Sequence, residues 1–244
     1  LLLEGDGELL AKAETVGDLE ALVAQTSSAL VRAESTKIEK VDDEPIVVPE
    51  PIREQAKKIL TIGQMAFYGK VMSPRVTGRA FIPHNRNTIV VANHSSHLDM
   101  GFVKYALGSY GEGLVSLAAQ DYFFRRDRVR RAYIENFTNL APFDRKGGLR
   151  QGMRIAGEHL EKGDTVLIFP KGTRSVDGTI QEFKPVAFHL ALTHGVDVLP
   201  VWIGGTYEAM RKGTRLPTKR DLVARIGPPL EMDDLRRLTA GMKP

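Results

Sequence analysis

The chain has no cysteine among its 244 residues, a single tryptophan, and no apolar run long enough to cross a bilayer. The lack of cysteine excludes a disulfide framework and fits a reducing compartment. The longest mostly apolar stretch, Ile59 to Met72, has 14 residues, and a membrane span needs about twenty. No internal repeat or low-complexity tract is present, and no export signal is seen at the N-terminus. The chain opens on Leu1 rather than Met, which reads as a piece of a longer polypeptide or an engineered product. Trp202 falls in a strand pattern and is expected in the core.

What the chain does have is an uneven charge. Residues 1–50 carry 4 Lys/Arg against 12 Asp/Glu, a net of −8, and residues 51–244 carry 30 against 18, a net of +12. A basic body suits phosphate-bearing substrates or an anionic membrane surface. The split predicts an acidic helical extension and linker over 1–50 and the main domain over 51–244. Within the extension, residues 8–34 read as one or two short amphipathic helices, and residues 35–50, with Asp42-Asp43-Glu44-Pro45 and Pro49, have linker composition. A helical pattern resumes at Pro51 and turns apolar on nearly all sides over 59–72. With Lys57, Lys58 and Lys70 beside it, this segment suits peripheral contact with a membrane interface.

Beyond residue 75, apolar runs alternate with helical patterns. Strands are predicted near 76–82, 88–92, 114–119, 139–143, 165–169, 198–203 and 222–227, and helices near 99–108, 122–134, 148–162, 184–194 and 232–239. This is an α/β pattern: a mostly parallel or mixed central sheet flanked by helices.

Ligands of such sheets gather at the strands' C-terminal ends. Directly after Thr88–Ala92 stands Asn93-His94-Ser95-Ser96-His97-Leu98-Asp99. On a continuous helix, a five-residue offset turns two side chains roughly 140° apart, so His94 and Asp99 meet only if His94 lies in a loop and Asp99 opens the next helix. Asp99 would then accept from one imidazole nitrogen and leave the other to take a proton from a substrate hydroxyl. The bland alternative is a histidine in a turn and an aspartate at a helix start. Ser95 and Ser96 are poor nucleophile candidates, because neither sits in a G-x-S-x-G elbow. Two further strands end in similar fashion. Thr165–Phe169 leads into Pro170-Lys171-Gly172-Thr173-Arg174-Ser175, where Gly172 admits close backbone approach and Arg174 offers a planar fork for an anionic group. The strand at 139–143 delivers Arg145. The arginines at 125, 126, 128, 130 and 131 suit anionic head groups, a carrier protein or CoA phosphates. Without aromatic interleaving they give no ground for nucleic acid.

The chain resembles the glycerolipid acyltransferase family, typified by 1-acyl-sn-glycerol-3-phosphate acyltransferase, over about residues 55–232. Four ordered blocks carry the likeness: His94 to Asp99, a block ending in Arg145, Phe169 to Ser175, and Val196 to Val201. The resemblance selects the catalytic reading of His94. It implies transfer of a fatty acyl group from an acyl-CoA or acyl-carrier-protein thioester to the hydroxyl of a lysophospholipid, at the cytoplasmic face of a membrane. In that picture His94 is the general base and Asp99 fixes its tautomer. Arg145 and Arg174 hold the acceptor phosphate, Gly172 and Thr173 shape that pocket, and Lys171 beside them would add a phosphate or carboxylate contact or impair the usual acceptor. No metal or resident cofactor is implied. Lys171 departs from the family, which has Glu there, and a lysine donates hydrogen bonds where a carboxylate accepts them. That reversal leaves room for a different acceptor, such as an amino-acid lipid, a polyketide or a carrier-bound alcohol, or for a non-catalytic membrane or carrier-protein docking domain.

Overall fold

The computed structural model describes residues 48–119, 138–143, 148–175, 177–179, 182–211, 213–214 and 216–241. The predicted extension at 1–47, the helix at 122–134 with its arginine cluster, and Arg145 lie outside the described residues. The chain divides into two units at Ile46/Val47, and the second is the body described below.

Seven strands form one mixed sheet: β1 (Ser73–Thr77), β2 (Thr88–Ala92), β3 (Val115–Ala119), β4 (Leu140–Phe143), β5 (Val166–Ile168), β6 (Asp197–Gly204) and β7 (Asp221–Ile226), in the order β1-β7-β6-β2-β5-β3-β4. Strands β2 to β6 run parallel to one another. The register breaks at β7, which is antiparallel to β6 with Trp202 opposite Arg225, and β1 follows β7 in parallel. β2 sits mid-sheet with all five residues buried, as a Thr-Ile-Val-Val-Ala run demands when both faces are covered.

Alternation along the strands divides the core into two layers. On one side Val90, Ala92, Leu199 and Val201 meet Phe102, Val103 and Leu107 of α2 (Asp99–Leu107), together with Tyr68. On the other side Ile89, Val91, Val166 and Val198 meet α3 (Gly148–Glu161), α4 (Val186–His194) and, after the four-residue α5 (Thr206–Ala209), α6 (Met232–Thr239). The helix preceding all of these, here αN (Glu50–Ala66), runs on into a π-turn at Phe67–Val71.

Two sequence expectations need correction. The strand expected at 76–82 is Ser73–Thr77; Gly78, at φ 84°, ends it, and Arg79–Phe81 forms a 3-10 turn. That turn delivers Arg79 Nε to the Ala106 carbonyl at 3.0 Å, where a cation complements the C-terminus of α2. Trp202 is also not a core residue: it is 40 % exposed. It lies on the α3/α4 side of the sheet, in the part of that face formed by β6 and β7, where Asp221 and Arg225 are exposed as well.

Candidate active site

The parallel strands present their C-terminal ends along one edge of the sheet, and the first and third motifs meet there. His94 Nδ1 donates to Asp99 Oδ2 at 2.8 Å, and the same oxygen accepts the backbone N–H groups of Ser95 at 2.5 Å and Ser96 at 2.8 Å. The loop therefore turns around the carboxylate, and the five-residue spacing closes as the sequence predicts. Asp99 is fully buried in the first turn of α2, where a negative charge is favoured by the helix dipole. Its second oxygen, Oδ1, is buried with no hydrogen-bond partner among the described residues. With Nδ1 committed as donor, Nε2 is the proton acceptor of the ring.

Neighbouring contacts fix the imidazole from the other sides. Phe169 stacks on it, with ring centres 4.1 Å apart and planes 18° from parallel. The third motif is tied to the first by the N–H of Ser175, which donates to the His94 carbonyl at 2.8 Å. Asn93 bridges to β6: its Nδ2 donates to the Ile203 carbonyl at 2.7 Å, and the Ile203 N–H donates back to its Oδ1 at 2.8 Å. Ser95 and Ser96 are buried, with Ser95 Oγ 3.2 Å from Thr206 Oγ1 and Ser96 Oγ donating to the Met210 carbonyl at 2.9 Å. Their hydroxyls serve loop architecture.

His94 opens onto a cleft lined by Asn93, Ser95, Pro170, Lys171, Thr179 and Phe183. Its volume is about 10 Å³, room for about one water. Lys171 is the one formally charged side chain among the described residues lining it. Gly172 turns the chain at φ 77°, with its N–H on the Phe169 carbonyl. Gly172 and Thr173 are exposed beside the cleft, and Arg174 is half-buried. Asp177 closes the following turn by accepting from Ser175 Oγ, Thr179 Oγ1 and Thr179 N–H, and these bonds hold its pKa down at about 2.

Beneath the dyad, Tyr68 of the π-turn donates to the Leu98 carbonyl at 2.8 Å. Burial, helped by the charge of Asp99, raises its phenol far above the usual range, so it stays protonated as a donor. The sequence reading assigned no role to Asn93, Tyr68, Phe169 or Phe183. Asn93 carried one legible signal, its place immediately before the histidine at a strand end.

A family model described as Acyltransferase matches residues 73–204, more than half of the chain, a span that includes the His94–Asp99 pair and the Phe169–Ser175 segment. The chain belongs to the acyltransferase family. Within it, the chain is 27 % identical over 149 residues to a 1-acyl-sn-glycerol-3-phosphate acyltransferase of Limnanthes alba, covering 61 % of this chain and 52 % of that protein. It is 26 % identical over 164 residues to the human 1-acyl-sn-glycerol-3-phosphate acyltransferase alpha, covering 66 % and 56 %. The chain thus spans about half the length of the curated relatives it matches. Its fold resembles the crystal structure of the 1-acyl-sn-glycerophosphate (LPA) acyltransferase PlsC from Thermotoga maritima, with a TM-score of 0.59 and 27 % identity over 88 % of this chain and 84 % of that one. The seven-stranded mixed sheet with flanking helices is therefore a family architecture.

Proposed function

We propose that this acyltransferase-family chain transfers a fatty acyl group from a thioester donor, acyl-CoA or acyl-carrier protein, to the hydroxyl of a lysophospholipid, with 1-acylglycerol-3-phosphate the first acceptor to test. The observation that carries the reading is the His94–Asp99 pair, closed at 2.8 Å with the imidazole lining a cleft that also holds Lys171. His94 Nε2 takes the acceptor's hydroxyl proton as the oxygen attacks the thioester carbonyl. The tetrahedral intermediate then collapses, the C–S bond breaks, and the protonated imidazole returns its proton to the leaving thiolate. Asp99 acts through His94 as a positioning residue, holding the tautomer and balancing the transient imidazolium. Lys171 and Arg174, with Arg145 beyond the described residues, supply cationic contacts for the acceptor phosphate, and Gly172 and Thr173 shape its approach.

Peripheral contact with the cytoplasmic face of a membrane belongs to the same proposal. Ile52, Ile59 and Ile62 of αN and Val71 of the π-turn are exposed, with Lys58 and Lys70 among them, a composition suited to the head-group boundary. Among the described residues, no helix is long and apolar enough to cross a membrane. The test is acyl transfer from radiolabelled acyl-CoA, and from acyl-carrier protein, to a panel of lysophospholipids. Product is expected with wild type and none with folded His94→Ala; full activity in that variant would overturn the mechanism. Lys171 supports a second reading, a different acceptor class, which strict preference for lysophosphatidate would eliminate.

A further inference from the structure

A second cavity lies two strands away from His94's own strand. It has a volume of about 510 Å³ and is lined by Gly205, Glu208, Lys219, Arg220 and Asp221, with Ser73 at its edge. That size is within the range of small-molecule sites. These residues sit where β6 ends and where β7 and β1 begin, on the same edge of the sheet as the histidine loop. Outside that lining, near the end of β6 and three positions before Gly205, stands the exposed Trp202. Its indole lies over Gly204, so closely that a Cβ there would come within 2.7 Å of the ring. The Arg225 guanidinium stands 5.3 Å from the ring centre. An indole 40 % exposed on a strand forgoes burial that a tryptophan ordinarily takes.

The proposal rests on the acyl-transfer reading and specifies its donor. We infer that this face is a binding site for an adenosine phosphate, the nucleotide end of acyl-CoA: the base stacks on Trp202, Lys219, Arg220 and Arg225 hold the phosphates, and Glu208 and Asp221 accept from the ribose hydroxyls. The chemistry of each group matches its place. Indoles and guanidinium planes stack on purines, and the exposed cations can meet phosphate without a burial penalty. The connection to the chemistry is direct, since Asn93, next to His94, is hydrogen-bonded to Ile203, next to Trp202. From strand spacing and rise, the indole and the His94 imidazole are on the order of 10 Å apart, a gap for the donor's flexible arm to bridge toward the thioester.

Trp202 is the sole tryptophan, so tryptophan emission, excited selectively over the tyrosines, reports on this site. Adenosine 3′,5′-bisphosphate and CoA are expected to quench it saturably and in competition with each other. Folded Arg225→Gln should weaken both by about tenfold, the loss of one charge-assisted contact, and should raise KM for acyl-CoA in parallel. Turnover of acyl-CoA with no quenching by either compound would overturn the site. Quenching by ATP that CoA fails to displace would overturn the donor assignment, as would quenching confined to phosphatidylglycerol vesicles or to acyl-carrier protein. Arg225-dependent binding of the bisphosphate without acyl transfer to any acceptor would uphold the nucleotide site while overturning the acyl-transfer reading.

Discussion

At the scale of single residues, the site turns on one carboxylate oxygen with three donors. Asp99→Asn removes the charge that holds the imidazole tautomer and leaves a buried amide among N–H groups. We expect kcat to fall by about 10³-fold or more and stability to drop by about 1–3 kcal/mol, measured by steady-state transfer and urea unfolding; unchanged kcat would remove Asp99 from the mechanism. Asp177 makes a pH prediction. Its turn lowers the pKa from 3.8 to about 2, so its contribution is complete above the higher value and is lost as pH falls through the lower one. The difference in stability between wild type and Asp177→Asn should therefore be constant near neutrality and shrink between about pH 4 and pH 2. His94 and Asp99 were legible in the sequence because their contact is local, five residues closed by one loop. Asn93 and Tyr68 were not, since their partners stand 110 and 30 residues away and no local pattern encodes them.

Among the elements, the buried parallel strands were the most legible, because β2 and β5 are buried throughout and must be apolar on both faces, so their runs stand out against the polar loops. The sheet's other end was harder to read. β1 was placed too late in the chain because Val76 and the residues around Phe81 look like one run, although Gly78 divides it. Trp202 was assigned to the core because nothing local records which part of a sheet face a helix covers. Gly205 shows how strictly this end is built: its φ is 85°, and a Cβ would stand 2.0 Å from the Asp221 carbonyl oxygen. Gly205→Ala should combine left-handed strain with a backbone clash and destabilise by about 2–4 kcal/mol. Denaturant titration would measure it, and a loss below about 0.5 kcal/mol would mean that the β6–β7 connection is slack.

For the molecule as a whole, the basic charge and the exposed apolar stripe of αN predict membrane binding with two separable components. Wild type should sediment with anionic vesicles more than with neutral ones, and added salt should weaken the anionic preference. Ile59→Glu with Ile62→Glu should reduce binding to both vesicle types; equal binding by the double variant would remove αN from the interface. The Asn93–Ile203 bridge also carries a consequence for biosynthesis. A ribosome that has released Asn93, His94 and Asp99 must add some hundred more residues before Ile203 can lock their loop in place, and at about 5–20 residues per second that takes roughly five to twenty seconds. Until then the nascent chain holds the motif without its anchor, so a polypeptide stalled or cleaved before β6 should bear the complete His-to-Asp sequence and remain inert.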